Sequence, residues 1–192
     1  VEDRVFVSDT LEIPADVGPS TGDIVYDGNV AIKGSVTSGY TVNAKGDVSV
    51  EGVVESANIY AGGQIILKRG VQGGSKGYLE AGTNVIAKFI ESATVKCGGY
   101  LQTDAILHSN VSARGEILVS GKKGFITGGS IQSGTSITAK TAGNSMGTKT
   151  TLEVGIDPEL VEEFRELERT IPEMTDELEK LSKLVMNYAR RI

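Results

Sequence analysis

Tryptophan is absent from this chain and aromatic residues make up only 5% of it, so any core must be aliphatic. A single cysteine, Cys97, rules out an internal disulfide and points to a reducing compartment, the cytoplasm. A single histidine, His108, cannot build a histidine triad unless subunits share ligands. No apolar run approaches the roughly 18–20 residues that a membrane-spanning helix needs. The opening, "VEDRVFVSDT", lacks the basic and apolar regions of a signal peptide. At 192 residues the chain suffices for one domain and an appendage.

Glycine, by contrast, is abundant, with 25 residues. Many punctuate a register that recurs seven times between Ile24 and Ala139: apolar, any, small, any, turn, any, apolar, any, apolar. The clearest copy is "VNAKGDVSV", Val42 to Val50. The turn residues are Gly28, Gly46, Gly63, Thr83, Gly99, Gly115 and Thr135, separated by 18, 17, 20, 16, 16 and 20 residues. A unit this short cannot bury its own apolar side, so neighbouring units must stack. Collagen and disordered low-complexity chains are also glycine-rich, but neither alternates with period two.

The alternation predicts which side chains point inward. One ladder is Val30, Val48, Ile65, Val85, Leu101, Ile117 and Ile137; a second is Ile24, Val42, Ile59, Leu79, Val95, Val111 and Ile131. Two residues before each turn sit Tyr26, Ala44, Ala61, Ala81, Cys97, Ala113 and Ser133, a column that turns small where two walls of a narrow coil meet. A third, less regular wall is Val36, Val54, Val71, Ile90, Leu107 and Ile126. The fold class expected is an all-β solenoid, a parallel β-helix of about seven rungs and triangular section. Left-handed hexapeptide coils keep a strict six-residue beat, so the variable rung length favours a right-handed coil.

Past Gly155 the apolar period lengthens. Asp157 suits an N-cap and Pro158 a first helical turn. Leu160, Phe164, Leu167, Ile171, Met174, Leu178, Leu181, Val185, Tyr188 and Ile192 then follow in alternating steps of four and three, a heptad seam. Acids crowd the first half and bases the last turn, as the helix dipole prefers. Pro172 is expected to kink the helix or split it in two. The domains expected are therefore 1–20, an N-terminal strand or cap; 21–155, the β-helix; and 156–192, a coiled-coil-type helical segment. The heptad pattern is unfinished at Ile192, which predicts that the natural protein continues.

The net charge of −6 divides into −6 over residues 1–27, +4 over 28–156 and −4 over 157–192. Four excess cations in a solenoid make no dense nucleic-acid-binding stripe. The two longest rungs each carry a basic loop, Lys68, Arg69 and Lys76 in one and Lys122 and Lys123 in the other. These are insertions or, more pointedly, a docking edge for an acidic partner.

Over almost its whole length the chain resembles the flagellar assembly protein A (FapA) family. The residues that carry the resemblance are the ordered blocks "GDIVYDGNVAIKGSV", "GYTVNAKGDVSVEGVVESANIYAGGQIIL", "AKFIESATVKCGGYLQTDAILHS", "GKKGFITGGS" and "GNSMGTKTTLEVGIDPEL". The coil is also similar to those of bactofilins and of the C-terminal domain of the division inhibitor MinC, which act by assembly. The resemblance implies a right-handed parallel β-helix followed by coiled-coil helices. It further implies a role in polar flagellation or envelope organisation, and the glucose-specific phosphotransferase carrier protein as a partner. It supplies no catalytic residue, cofactor or metal.

The residues themselves offer little chemistry. His108 is expected to point outward by alternation from Leu107. Cys97 fills a slot that alanine takes in four other rungs, with no histidine beside it in sequence to activate it. "GGSKG" at 73–77 and "GNSMGTKT" at 143–150 lack the spacing of a phosphate-binding loop. Asp47, Glu51, Glu55, Glu80, Glu91, Asp104 and Glu116 form no single column. The expectation is thus a non-enzymatic cytoplasmic scaffold, with the cell pole as one location to test, that works through protein partners and self-association of its helix. The alternative is a carbohydrate-active or acyl-transferring β-helix enzyme.

Overall fold

The computed structural model describes residues 9–155 and 158–189 and, within the C-terminal helix, the side chains of Leu160 and of 163–183. The chain divides into two units, Val1–Ile156 and Asp157–Ile192. The first is a parallel β-solenoid of about eight turns.

The ladders read from the sequence are the observed registers. Val30, Val48, Ile65, Val85, Leu101, Ile117 and Ile137 face one another in succession along one wall. Ile24, Val42, Ile59, Leu79, Val95, Val111 and Ile131 do so along another. Apart from Ile137 at the end of the coil, all are buried. At roughly 1.5–3 kcal/mol for each buried Val, Leu or Ile, these ladders are the main source of cohesion.

At the turns, backbone donors climb from rung to rung. Gly46 N–H donates to Gly28 O at 3.0 Å, Gly63 N–H to Gly46 O at 3.0 Å, and Gly115 N–H to Gly99 O at 2.9 Å. This closeness explains the glycine: a Cβ on Gly115 would lie 2.8 Å from Gly99 O. Beside the turns runs a side-chain ladder. Asn29 Oδ1 accepts Asp47 N–H, Asp47 Oδ1 accepts Gln64 N–H, and Asn84 Oδ1 accepts Tyr100 N–H, at 2.8–3.0 Å.

Eight strands stack on one wall, because Thr10–Ile13, within the N-terminal strand or cap expected over 1–20, pairs with Asn29–Ile32 ahead of the seven repeats. Val17 likewise joins the third wall beneath Val36. Both precede Ile24, where the recognisable register begins. One expectation needs correction, since the third wall takes Ile106, not Leu107: Ile106 faces Ile90 and Ile126 and is buried, while Leu107 is only partly covered. His108 is exposed nonetheless. Its φ of 46° turns the chain at that point and breaks the alternation that Ile106 would otherwise impose.

The second unit is helical. Pro158–Ala189 is one helix of 32 residues with Pro172 inside it, so of the two outcomes expected at the proline, a kink or a split, the split does not occur. Thr170 and Thr175 hydroxyls donate to the carbonyls of Glu166 and Ile171, at 2.8 and 2.7 Å, on either side of the proline. Asp176–Lys180 and Glu179–Lys183 add ion pairs one turn apart. The last described turn carries no base. Arg190, Arg191, Ile192, the Asp157 cap and the part of the expected N-terminal strand or cap before Asp9 lie outside the described residues.

Candidate interaction surfaces

Pairing register shows where each rung gains its extra residues. In Ile65–Ala81, Leu67 and Gly70 face Ala87 and Phe89, so one residue is added at Lys68 and Arg69. Gln72 and Gly77 face Glu91 and Ala93, so three more enter over 73–76. Together they account for the excess of a 20-residue rung over a 16-residue one. Lys68, Arg69 and Lys76 therefore lie within one long strand interrupted by bulges. Lys122 and Lys123 do occupy a loop, since Thr103 and Ala105 are followed in the next rung by Val119 and Phe125.

These bases fall at two different corners. Lys68, Arg69, Lys122 and Lys123 share the corner between the wall of Val30 and the wall of Ile106. Lys76 lies at the next corner along the chain. The first corner also collects Lys33, Lys88 and Lys140, each directly after its wall strand. Seven of the twelve bases of residues 28–156 thus occupy one edge, all exposed, with Glu51 and Asp104 among them. Between Lys33 and Lys140 lie six rung steps, about 29 Å at about 4.8 Å per step.

Within this edge Glu51 is bridged by Lys68 at 2.8 Å and Lys33 at 3.4 Å. The Lys68 hydrogen bond, then that of Lys33, holds its carboxyl below the ordinary value. Lys140 Nζ donates to Gly121 O at 2.9 Å, fastening the Lys122 loop. Arg69, Lys88, Lys122 and Lys123 make no ion pair among the described residues. Lys33, Lys88 and Lys140 escaped the sequence reading because each stands alone in its rung. The signal that finds them is their shared place in the repeat, the first residue after each wall strand.

The helix presents the second surface. Leu160, Phe164, Leu167, Ile171, Met174, Leu178 and Leu181 are each between 52% and 70% exposed, an uncovered apolar stripe. Val185 continues the spacing, although its side chain lies outside those described.

A family model, the Flagellar Assembly Protein A beta solenoid domain, matches residues 9–191. The chain belongs to that family. No curated protein and no solved structure matches it. The match spans both the basic edge of this FapA-family solenoid and the heptad seam.

Elsewhere the FapA-family coil shows packing chemistry. Cys97 faces Ala81 and Ala113 in the small column, and burial pushes its thiol up to about 12. Glu55 and Glu91 share a column, but Gln72 stands between them. Among the described residues no three His, Cys, Asp or Glu side chains gather as metal ligands. Residues 143–149 form an insertion closed by Asn144, whose side chain bonds Thr148 twice, and it leads into Thr150–Val154, a strand. Among the described residues no helix is long and apolar enough to cross a membrane.

Proposed function

We propose that this chain is a non-enzymatic scaffold that acts in the cytoplasm, through protein contacts, in flagellar assembly or in organising the cell pole and envelope. The observation that supports this reading is the exposed seam of the 32-residue helix, seven large apolar side chains in heptad spacing on a family member whose coil is filled with aliphatic ladders. Such a stripe gains free energy only when another surface covers it. Family resemblance directs the first partner test to the glucose-specific phosphotransferase carrier. Deleting the gene in its host is expected to disturb motility or envelope organisation. A deletion strain with normal flagella would remove the flagellar part of the proposal.

A further inference from the structure

The basic edge has a chemistry of its own. Its cations do not form a continuous run. Glu51 occupies one rung and Asp104 another, and Glu51 bridges its neighbours Lys33 and Lys68, offsetting one of their two charges. The edge cations engaged by no acceptor among the described residues form two clusters, Arg69 with Lys88 on adjacent rungs, and Lys122 with Lys123 two rungs further on. The edge is also convex, a corner where two walls meet. A flat anionic bilayer touches such an edge along a line only. A phosphodiester chain carries charge at every step and would meet Asp104 between the two clusters. A protein segment can instead place its acids in groups and leave a gap between them. Apolar side chains flank the edge as well: Phe89 and Phe125 lie at the corner, partly exposed, on the same rungs as Lys88 and the Lys122 loop. An amphipathic acidic segment satisfies both features.

We propose that this edge docks an acidic, amphipathic segment of a protein partner, its carboxylates on Arg69, Lys88, Lys122 and Lys123 and its apolar side chains on Phe89 and Phe125. The proposal deepens the scaffold reading by naming the chemistry of a partner, and it rests on that reading only in taking the partner to be a protein. At about 1.5 Å per residue, a helical segment of about 20 residues would span the edge.

The test uses the full chain and a labelled helical peptide of about that length, with glutamates one turn apart and leucines on the adjoining face. Binding is read by fluorescence anisotropy at low and at physiological salt. The expected result is saturable binding that weakens with salt. It should weaken about tenfold or more in the Arg69→Glu, Lys88→Glu, Lys122→Glu, Lys123→Glu variant. A control variant, Lys45→Glu, Lys76→Glu, Lys149→Glu, removes bases outside this edge and should bind as the parent does. If the quadruple variant fails to fold, Lys122→Gln with Lys123→Gln, confined to a loop, should still weaken binding measurably. No binding of the peptide, equal loss in the control, or tighter binding of a single-stranded oligonucleotide or of anionic phosphatidylglycerol vesicles would each overturn the proposal. None of these outcomes depends on the motility phenotype, so failure here is distinct from failure of the scaffold reading.

Discussion

His108 and Gly128 occupy the same corner on successive rungs, and a Cβ on Gly128 would lie 2.6 Å from His108 Nδ1. Both residues have positive φ, 46° for His108 and 72° for Gly128. The imidazole therefore lies against a position that only glycine can fill without strain. The only histidine of the chain stands exposed at a bend, and among the described residues no ion pair joins it to a carboxylate.

Gly128→Ala should accordingly cost about 1–3 kcal/mol, from the left-handed backbone and from contact with the ring. Chemical denaturation of the variant measures the loss. Adding His108→Ala should restore the steric share and leave the backbone share. A double variant no more stable than Gly128→Ala would show that the ring is not the obstacle.

Cys97 should be inert in the folded chain, because burial holds it as a thiol with a pKa of about 12. Alkylation by iodoacetamide at mildly alkaline pH should proceed only after denaturant is added. The raised pKa also sets a pH dependence. In the unfolded chain the thiol ionises near its ordinary value of 9.0, whereas in the folded chain it stays protonated to about 12. Its contribution to stability is present below the lower value and is lost as pH rises through that window. Cys97→Ala should therefore show a smaller alkaline fall in melting temperature than the parent.

Glu51 should titrate below its ordinary value, held down first by Lys68 and then by Lys33. Because its folded pKa is depressed, the favourable interaction exists above the unfolded value and is lost as pH falls through the folded one. The pair is exposed, so its effect on stability is small. An NMR titration is the sensitive measurement. Lys68→Ala should move the Glu51 midpoint upward more than Lys33→Ala does. Equal shifts in the two variants would contradict the order of these interactions.

The inward ladders were legible in the sequence because burial selects side chains by size and polarity at a two-residue period. Val48 above Val30, or Ala81 beside Cys97, could be read without coordinates for that reason. The third wall was harder. It adds one inward residue per rung, often between corners, so Ile106 and Leu107 were equivalent until their register with Ile90 was known. The basic edge was half legible. Lys122 beside Lys123 stands out in the sequence, whereas Lys88 acquires neighbours only when rungs stack. Pro172 left two outcomes open in the sequence, a kink or a split, and the continuous helix removes the split.

The uncovered seam leads to the last prediction, which concerns self-association. Burying a leucine-type side chain is worth roughly 1.5–3 kcal/mol, and seven such residues from Leu160 to Leu181 are exposed. Association itself costs an estimated 4–15 kcal/mol or more, besides the ordering of side chains. Burial is partial at such a seam, so the balance is a weak, concentration-dependent contact. Charge selects its direction. In a parallel pair the residues flanking the seam set Glu163 of one copy beside Glu168 of the other, twice over. An antiparallel pair separates these acidic first halves and sets them against the less acidic ends. Light scattering after size exclusion should show a mass that rises with loading concentration. Leu167→Asp with Leu178→Asp should yield a monomer at every concentration while leaving the strand signal in circular dichroism intact, since both positions lie outside the solenoid unit. If that double variant still forms filaments or stable oligomers, the contact lies in the coil and the seam is not the surface through which this chain meets itself.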